Sequence, residues 1–329
     1  MSHIFDGLQR SEGECPDVDL STLSGVTELL QHAERRVTSR WESGNSPTPS
    51  EETKGVARVK SLDLKGTPSV AAVNEAPVSV TEPTHTDEIA DLFDKFSSLP
   101  VLPPSESTLP CLTDGGSPAA EAFRLLGVRL NHLRRDRPFK KVLVTSTIPQ
   151  EGKSTVAANL ACTLSLKAQQ RVLLLEGDLR RPSLSKMFGL RRNPGLCEWL
   201  EDERGLATSI YRLEGTNVWI LPAGSAPSDA LELLQSKRLT TLMAQLTALF
   251  DWIVIDSPPV LPLADTSVWM RLTDVVLLTT RQGTTEKRKL QRGLDAIEPG
   301  KLIGALVNSS TNATANDYYY YSTSGSHPK

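Results

Sequence analysis

The stretch Lys141-Val142-Leu143-Val144-Thr145-Ser146-Thr147-Ile148-Pro149-Gln150-Glu151-Gly152-Lys153-Ser154-Thr155 carries the reading of this chain. Its first six residues predict a buried strand, because a short apolar run bounded by turn residues suits a sheet covered on both faces. Residues 156–167 read as a helix, which leaves 149–155 as the loop between strand and helix. In such a loop Gly152 lets backbone N–H groups close on a phosphate at a helix N-terminus. Lys153 then supplies a cation for the terminal phosphates and Ser154 a hydroxyl for a divalent metal. The general pattern GxxxxGK[ST] is intact in its last part, while Thr147 stands at the place of the first glycine.

Outward from this loop, strands are expected at 172–176, 218–222, 252–256, 275–280 and 302–308, and helices at 119–135, 237–250 and 285–297. Short apolar strands alternating with helices give an α/β fold with a doubly wound, mostly parallel sheet, whose site lies at the strand C-termini. Two of these strands run into acids. Leu173-Leu174-Leu175 leads to Glu176-Gly177-Asp178-Leu179-Arg180-Arg181-Pro182, and its two carboxylates can share a metal or a nucleophile if the strand breaks at Gly177. Ile253-Val254-Ile255 leads to Asp256-Ser257-Pro258-Pro259, the position of a Walker B carboxylate. Each acid alone reads equally well as a helix cap, but three such motifs in this order do not.

Four of the five tyrosines, Tyr318, Tyr319, Tyr320 and Tyr321, stand together in a Ser/Thr/Gly/Asn tail. Tyr211 is the one tyrosine elsewhere, so packing did not set this distribution. An acceptor cluster and a nucleotide loop in one chain suggest self-phosphorylation; a low-complexity end or a sticky docking strand is the other reading.

The 329 residues carry a net charge of −3 and a pI of about 6.0, which gives no support to a nucleic-acid partner. Arg134, Arg135, Arg137, Lys140 and Lys141 cluster locally and read as a solvated helix end, a membrane surface or a contact for an acidic partner. Cys15, Cys111, Cys162 and Cys197 lie far apart without CxxC spacing, and no signal peptide precedes them, so a cytoplasmic location is expected and zinc is not. The five histidines lie outside the three motifs. No apolar run has the length of a membrane-spanning helix.

The chain divides into short helical segments over 1–40 (at 4–8 and 27–37), a disordered Pro/Ser/Thr-rich linker over 41–115, a P-loop domain over 116–308 and a flexible tail over 309–329. The linker composition buries too little apolar area to offset the entropy of ordering. Within it Ile89, Leu92, Phe93 and Phe96 fall at helical spacing, as a docking helix for a partner's groove or a transient amphipathic helix.

From about Pro118 onward the chain resembles the bacterial tyrosine kinases (BY-kinases) of capsule and exopolysaccharide synthesis, within the P-loop MinD/ParA-like ATPases. That family carries a Walker A of the form PxEGKS, a Walker A′ of three apolar residues followed by DxDxR, a Walker B ending DxxP and a C-terminal tyrosine cluster. The resemblance implies ATP and Mg²⁺ as cofactors and Lys153, Glu176, Asp178 and Asp256 as catalytic residues. It places Gln150, Glu151, Gly152, Lys153, Ser154 and Thr155 around the phosphates, Arg281 and Asn308 along the base pocket, and Ser154, Asp178 and Asp256 at the metal. Tyr318 to Tyr321 become phosphoacceptors, and Glu121 and Arg124 the oligomerisation contacts of a homo-oligomer.

The partners it implies are a separate membrane adaptor of the polysaccharide co-polymerase kind, which recruits the chain to the inner face of the plasma membrane, and a protein-tyrosine phosphatase. The opening Met1 to Arg10 also looks like that of stand-alone members. Glu176 replaces the family's Asp, and Gly127 replaces the last Arg of ExxRxxR. Rival readings are a MinD/ParA-like ATPase switch, whose usual signature lysine is replaced here by Ile148, and a nucleotide-binding regulatory scaffold with decayed catalysis.

Overall fold

Period-two alternation along the central strands decides the architecture. In β2 (Lys141–Ser146), Val142 and Val144 point to one face and Leu143 to the other, and all three are fully buried. The same division holds in β3 (Val172–Glu176), β6 (Trp252–Asp256) and β7 (Val275–Arg281), so the sheet must be covered on both sides. The computed structural model describes residues 92–104, 107–167, 170–202, 205–261 and 264–308. The helices expected at 4–8 and 27–37, the linker as far as residue 91, and Tyr318 to Tyr321 lie outside the described residues.

With β1 (Ser97–Leu99), β4 (Tyr211–Leu213), β5 (Val218–Leu221) and β8 (Leu302–Asn308), the strands form one eight-stranded sheet in the order β1-β4-β5-β3-β6-β2-β7-β8. Every pairing is parallel except β4 with β5. The helices are α1 (Pro110–Thr113), α2 (Pro118–Asp136), α3 (Lys153–Ser165), α4 (Leu184–Met187), α5 (Leu196–Asp202), α6 (Ala230–Leu234), α7 (Lys237–Leu249), α8 (Asp265–Leu272) and α9 (Lys287–Asp295). The fold is therefore the doubly wound α/β sheet expected from the sequence.

One face packs against α3, in which every residue from Val156 to Ser165 is buried. Ala157, Ala158 and Ala161 let this helix lie close to the strands. Helix α2 covers α3 in turn, and Gly127 is where they meet: a Cβ there would sit 3.1 Å from Thr163 Cγ2. The position at which the family pattern carries a third charged residue is thus turned inward. Leu239, Leu242 and Leu246 of α7 and Trp269 of α8 belong to the core of the opposite face.

Residues 92–104 and 107–115 differ from the linker expectation. Phe93 makes edge-on contacts with Phe96, Trp219 and Phe250, and Arg171 lies over its ring. Ser97–Leu99 then adds β1 to the sheet, and α1 follows. The apolar spacing at Leu92, Phe93 and Phe96 serves a groove of this same domain. Most of the basic cluster is also spent internally. Arg134 covers the Trp252 ring, Arg137 donates to Gly300 O, Lys140 Nζ donates to Thr247 O and Phe250 O, and Lys141 pairs with Asp274 at 3.1 Å.

Candidate functional site

The C-terminal ends of β2, β3, β6 and β7 bring the three motifs together. After β2 the chain turns through Gln150 at φ 69° and Gly152 at φ 88°, left-handed conformations that orient successive N–H groups toward the N-terminus of α3. A side chain at Gly152 would collide with the Asn308 amide, 1.9 Å from its Cβ. The Thr147 side chain occupies space that Gly293 of α9 leaves open, since a Cβ at Gly293 would lie 2.9 Å from Thr147 Oγ1. The departure from the loop pattern is therefore accommodated by a glycine 146 residues away in sequence.

Glu151 sits at the centre of the loop and is fully buried. Its carboxylate accepts from Ile148 N at 2.8 Å, from Thr280 Oγ1 at 3.3 Å and from Thr285 Oγ1. Its backbone carbonyl accepts from Asn308 Nδ2 at 3.0 Å. Glu151 thus braces the loop against the β7 to α9 connection rather than presenting its side chain to a ligand, and Asn308 meets the loop itself. Arg281 is exposed, in register with Asn308 at the end of the sheet. Gln150 is exposed, while Ser154 and Thr155 are half-buried on the first turn of α3. Thr108 approaches Thr155, their hydroxyls 3.5 Å apart.

Lys153 Nζ lies 2.8 Å from Asp178 Oδ2 and 3.5 Å from Asp256 Oδ1. Burial lowers the ammonium's affinity for its proton, but Asp256 and Asp178 outweigh this, and its pKa lies above the ordinary lysine value. Burial pushes the Asp256 carboxyl up to about 6, against the pull of Lys153 and a hydrogen bond from Ser154. Asp256 Oδ2 is buried without a hydrogen-bond partner, a cost a bound ligand would remove. Asp178, Asp256 and the Ser154 hydroxyl are hard oxygen donors grouped around one cation, the kind of set that Mg²⁺ takes up when phosphate and water complete its shell. The residues present fit that ion.

Strand β3 ends before Gly177, whose N–H bonds Asp256 O at 2.7 Å and where a Cβ would meet the Trp269 ring at 2.8 Å. The two carboxylates beside it then diverge. Asp178 turns to Lys153, whereas Glu176, 1% exposed, turns the other way. Glu176 Oε1 accepts from Ser183 N at 2.5 Å and Leu184 N at 2.6 Å, and Oε2 from Ala223 N at 3.0 Å. Burial raises its pKa, opposed by those three amides. The expectation that both acids face a common centre is corrected here: Glu176 ties the start of α4 to the end of β5. Arg180 of the same motif is held by buried Asp265 at 2.7 Å. Glu121 and Arg124, on α2, form an i, i+3 ion pair, and Arg124 also reaches Gly115 O.

The sequence reading missed Glu151 as a brace, Gly293 as the partner of Thr147, and Glu198. Glu198 accepts from Gly195 N at 2.7 Å and Ser225 N at 2.8 Å, closing the loop beside Ala223. An acid that follows a glycine by three positions is the only local signal for such a contact.

A family profile described as an AAA domain matches residues 150–297, the span from the phosphate loop through α9. The tyrosine-protein kinase YwqD of Bacillus subtilis is 31% identical over 214 residues, which cover 64% of this chain and 90% of that protein. The chain belongs to the bacterial tyrosine-protein kinases. Among solved structures, the crystal structure of the chimerical protein CapA2B2 superposes with a TM-score of 0.57 at 28% identity, covering 68% of this kinase and 98% of that chain. The succinoglycan biosynthesis transport protein ExoP of Rhizobium meliloti is 31% identical over 197 residues, 58% of this kinase and 25% of that longer protein. Relatives of this kinase therefore include a protein named for succinoglycan biosynthesis and transport. Among the described residues, no helix is long and apolar enough to cross a membrane.

Proposed function

We propose that this kinase transfers the γ-phosphoryl group of MgATP to its own C-terminal tyrosines, Tyr318 to Tyr321, and that the modified tail regulates polymerisation and export of an exopolysaccharide. The observation that carries this reading is a junction: Asn308, the last described residue before the tail, bonds the same loop whose Lys153 is held by Asp178 and Asp256. Tyr318 lies ten positions after Asn308, a reach of roughly 33 Å when extended. The tail can therefore enter its own site or that of a neighbour.

Mg²⁺ bound with the nucleotide supplies charge neutralisation across the phosphates. The loop N–H groups from Gln150 to Thr155 orient the phosphates, and the Lys153 ammonium stabilises negative charge on the transferring group. Ser154, Asp178 and Asp256 are the side chains suited to hold the metal. A tyrosine oxygen attacks the γ-phosphorus, the bond to the bridging oxygen breaks, and ADP departs. The phenol proton passes to a carboxylate, for which Asp178 is better placed than Glu176, whose two oxygens are committed to backbone amides.

The same reading takes the kinase to act in the cytoplasm as a homo-oligomer through the exposed side of α2. Leu125 and Val128 stand there beside Glu121 and Arg124. A separate membrane adaptor of the polysaccharide co-polymerase kind recruits it, and a protein-tyrosine phosphatase resets the tail.

The test incubates the purified protein with MgATP, beside Lys153→Met, and maps phosphate by intact and peptide mass spectrometry. Phosphate on Tyr318 to Tyr321 in the wild type alone is the expected result. ATP hydrolysis that leaves the tail unmodified, even with an adaptor segment added, would assign the chain to the ATPase switches or, where turnover is slow, to the nucleotide-binding regulatory scaffolds.

A further inference from the structure

Helix α9 reads Lys287-Arg288-Lys289-Leu290-Gln291-Arg292-Gly293-Leu294-Asp295, and only Leu290 and Gly293 are buried. Its outer side carries Lys287, Arg288 and Arg292, all exposed, and Arg281 is exposed a few residues before it at the end of β7. Two of the three neighbouring acids are paired with lysines, and the third is bonded to a neutral amide. Glu286 pairs with Lys289 at 2.6 Å, Asp295 accepts from Gln291 at 2.9 Å, and Glu298 pairs with Lys301 at 3.1 Å. No carboxylate among the described residues pairs with Arg281, Lys287, Arg288 or Arg292. The basic residues around the end of α2 differ, for most of them are spent on ring faces, carbonyls and Asp274.

This uncompensated face lies where the tail begins. Asn308 is in register with Arg281, and Gln282 N donates to Asn308 O at 3.2 Å. Helix α9 is only about 14 Å long, well within the reach of the tyrosines. Residues 309–329 contain a single acid, Asp317, and a single lysine, Lys329, so the unmodified tail has little charge with which to seek a basic surface. Each phosphotyrosine adds about −1.5 to −2 charges. Four together add roughly −6 to −8, in the form of oxygens that arginine binds in a forked geometry.

We propose that the face formed by Arg281 and the outer side of α9 binds the phosphorylated tyrosine tail of this kinase. Docking there removes the modified tail from the phosphate loop and hides its phosphates, a regulation that rests on the autokinase reading. Attraction switches on with the modification itself, because the surface is fixed and only the tail changes charge.

The test uses full-length, phosphatase-treated protein without nucleotide and a labelled synthetic peptide of residues 309–329, phosphorylated at Tyr318 to Tyr321 or unmodified, followed by fluorescence anisotropy. The phosphopeptide is expected to bind in a salt-dependent manner. The unmodified peptide should bind at least tenfold more weakly, and Arg288→Gln/Arg292→Gln, at an unchanged urea midpoint, should weaken the phosphopeptide at least tenfold. Charge removal at exposed Arg135, Arg135→Gln, should leave it unchanged. Phosphopeptide binding indifferent to the α9 substitutions overturns the proposal. So does retention of the wild type, but not of the α9 variant, on phosphatidylglycerol vesicles without phosphopeptide binding, which would make this face a membrane contact. The phosphate is supplied chemically, so failure to dock here and failure to phosphorylate in the mass-spectrometric assay are separate results.

Discussion

Replacing Glu176 by the aspartate usual in the family should harm this kinase rather than improve it. The Glu176 carboxylate spans two backbone sites, Ser183 and Leu184 at the start of α4 and Ala223 after β5. A side chain one methylene shorter cannot reach both. Each hydrogen bond to a charged acceptor contributes about 1.5–3 kcal/mol, and the lost methylene adds about 1 kcal/mol. Glu176→Asp should therefore cost about 2–4 kcal/mol, read as a lower urea midpoint at unchanged slope. Phosphate incorporation should fall by about tenfold or less, because the loop carrying Asp178 loses its anchor while Asp178 and Lys153 remain.

Glu176→Gln separates this anchoring from acid–base chemistry. Its oxygen can keep the α4 amides, but its NH₂ then opposes Ala223 N–H, at about 1–3 kcal/mol for the unpaired donor, partly offset by removal of a buried charge. The variant should stay active. A faster Glu176→Asp enzyme at wild-type stability would refute the reasoning. So would a loss of 10²- to 10⁴-fold in Glu176→Gln at the wild-type urea midpoint, the size expected for a proton acceptor.

Asp256→Asn should abolish phosphate transfer yet raise the stability of the nucleotide-free protein by about 1–3 kcal/mol, measured by urea melts, because burial holds the carboxyl up to about 6 and leaves Oδ2 unpartnered. Gly293→Val should push the Thr147 side chain and cost about 1–3 kcal/mol, and Thr147→Gly in the same chain should restore the melting temperature if that contact is the cause. Glu198 has its pKa lowered: burial raises it, but the Ser225 and Gly195 hydrogen bonds outweigh burial. Its stabilisation is complete above the ordinary carboxylate range and is lost as pH falls through the depressed folded value. The stability gap between wild type and Glu198→Gln should accordingly narrow from pH 6 to pH 3, and a constant gap would count against this assignment.

The central strands and the phosphate loop were legible because their signals are local. Lys141 to Ser146 is a short apolar run bounded by turn residues, Gly152-Lys153-Ser154 is contiguous, and Asp256 follows an unbroken apolar run. Strands β1 and β4 were not, since three residues carry no measurable period and their place is set by pairing with each other and with β5. Leu92, Phe93 and Phe96 announced an apolar face but not the groove that receives it, which is built from Trp219 and Phe250 far along the chain.

The acids show the same boundary. Sequence alone settled that Glu176, Asp178 and Asp256 stand at strand ends, because strand length and the break at Gly177 are properties of neighbours in the chain. It also determined the doubly wound sheet, through the alternation of apolar strands and helices. Tertiary structure decided which acid meets Lys153 and which is consumed in holding the fold. Asp178 and Asp256 close on the lysine because adjacent strands β3 and β6 place them at one edge. Glu176 and Glu151 turn inward because unpaired backbone amides and hydroxyls, brought near only by folding, compete for their oxygens at low dielectric, where an unmet donor costs more than a lost charge contact.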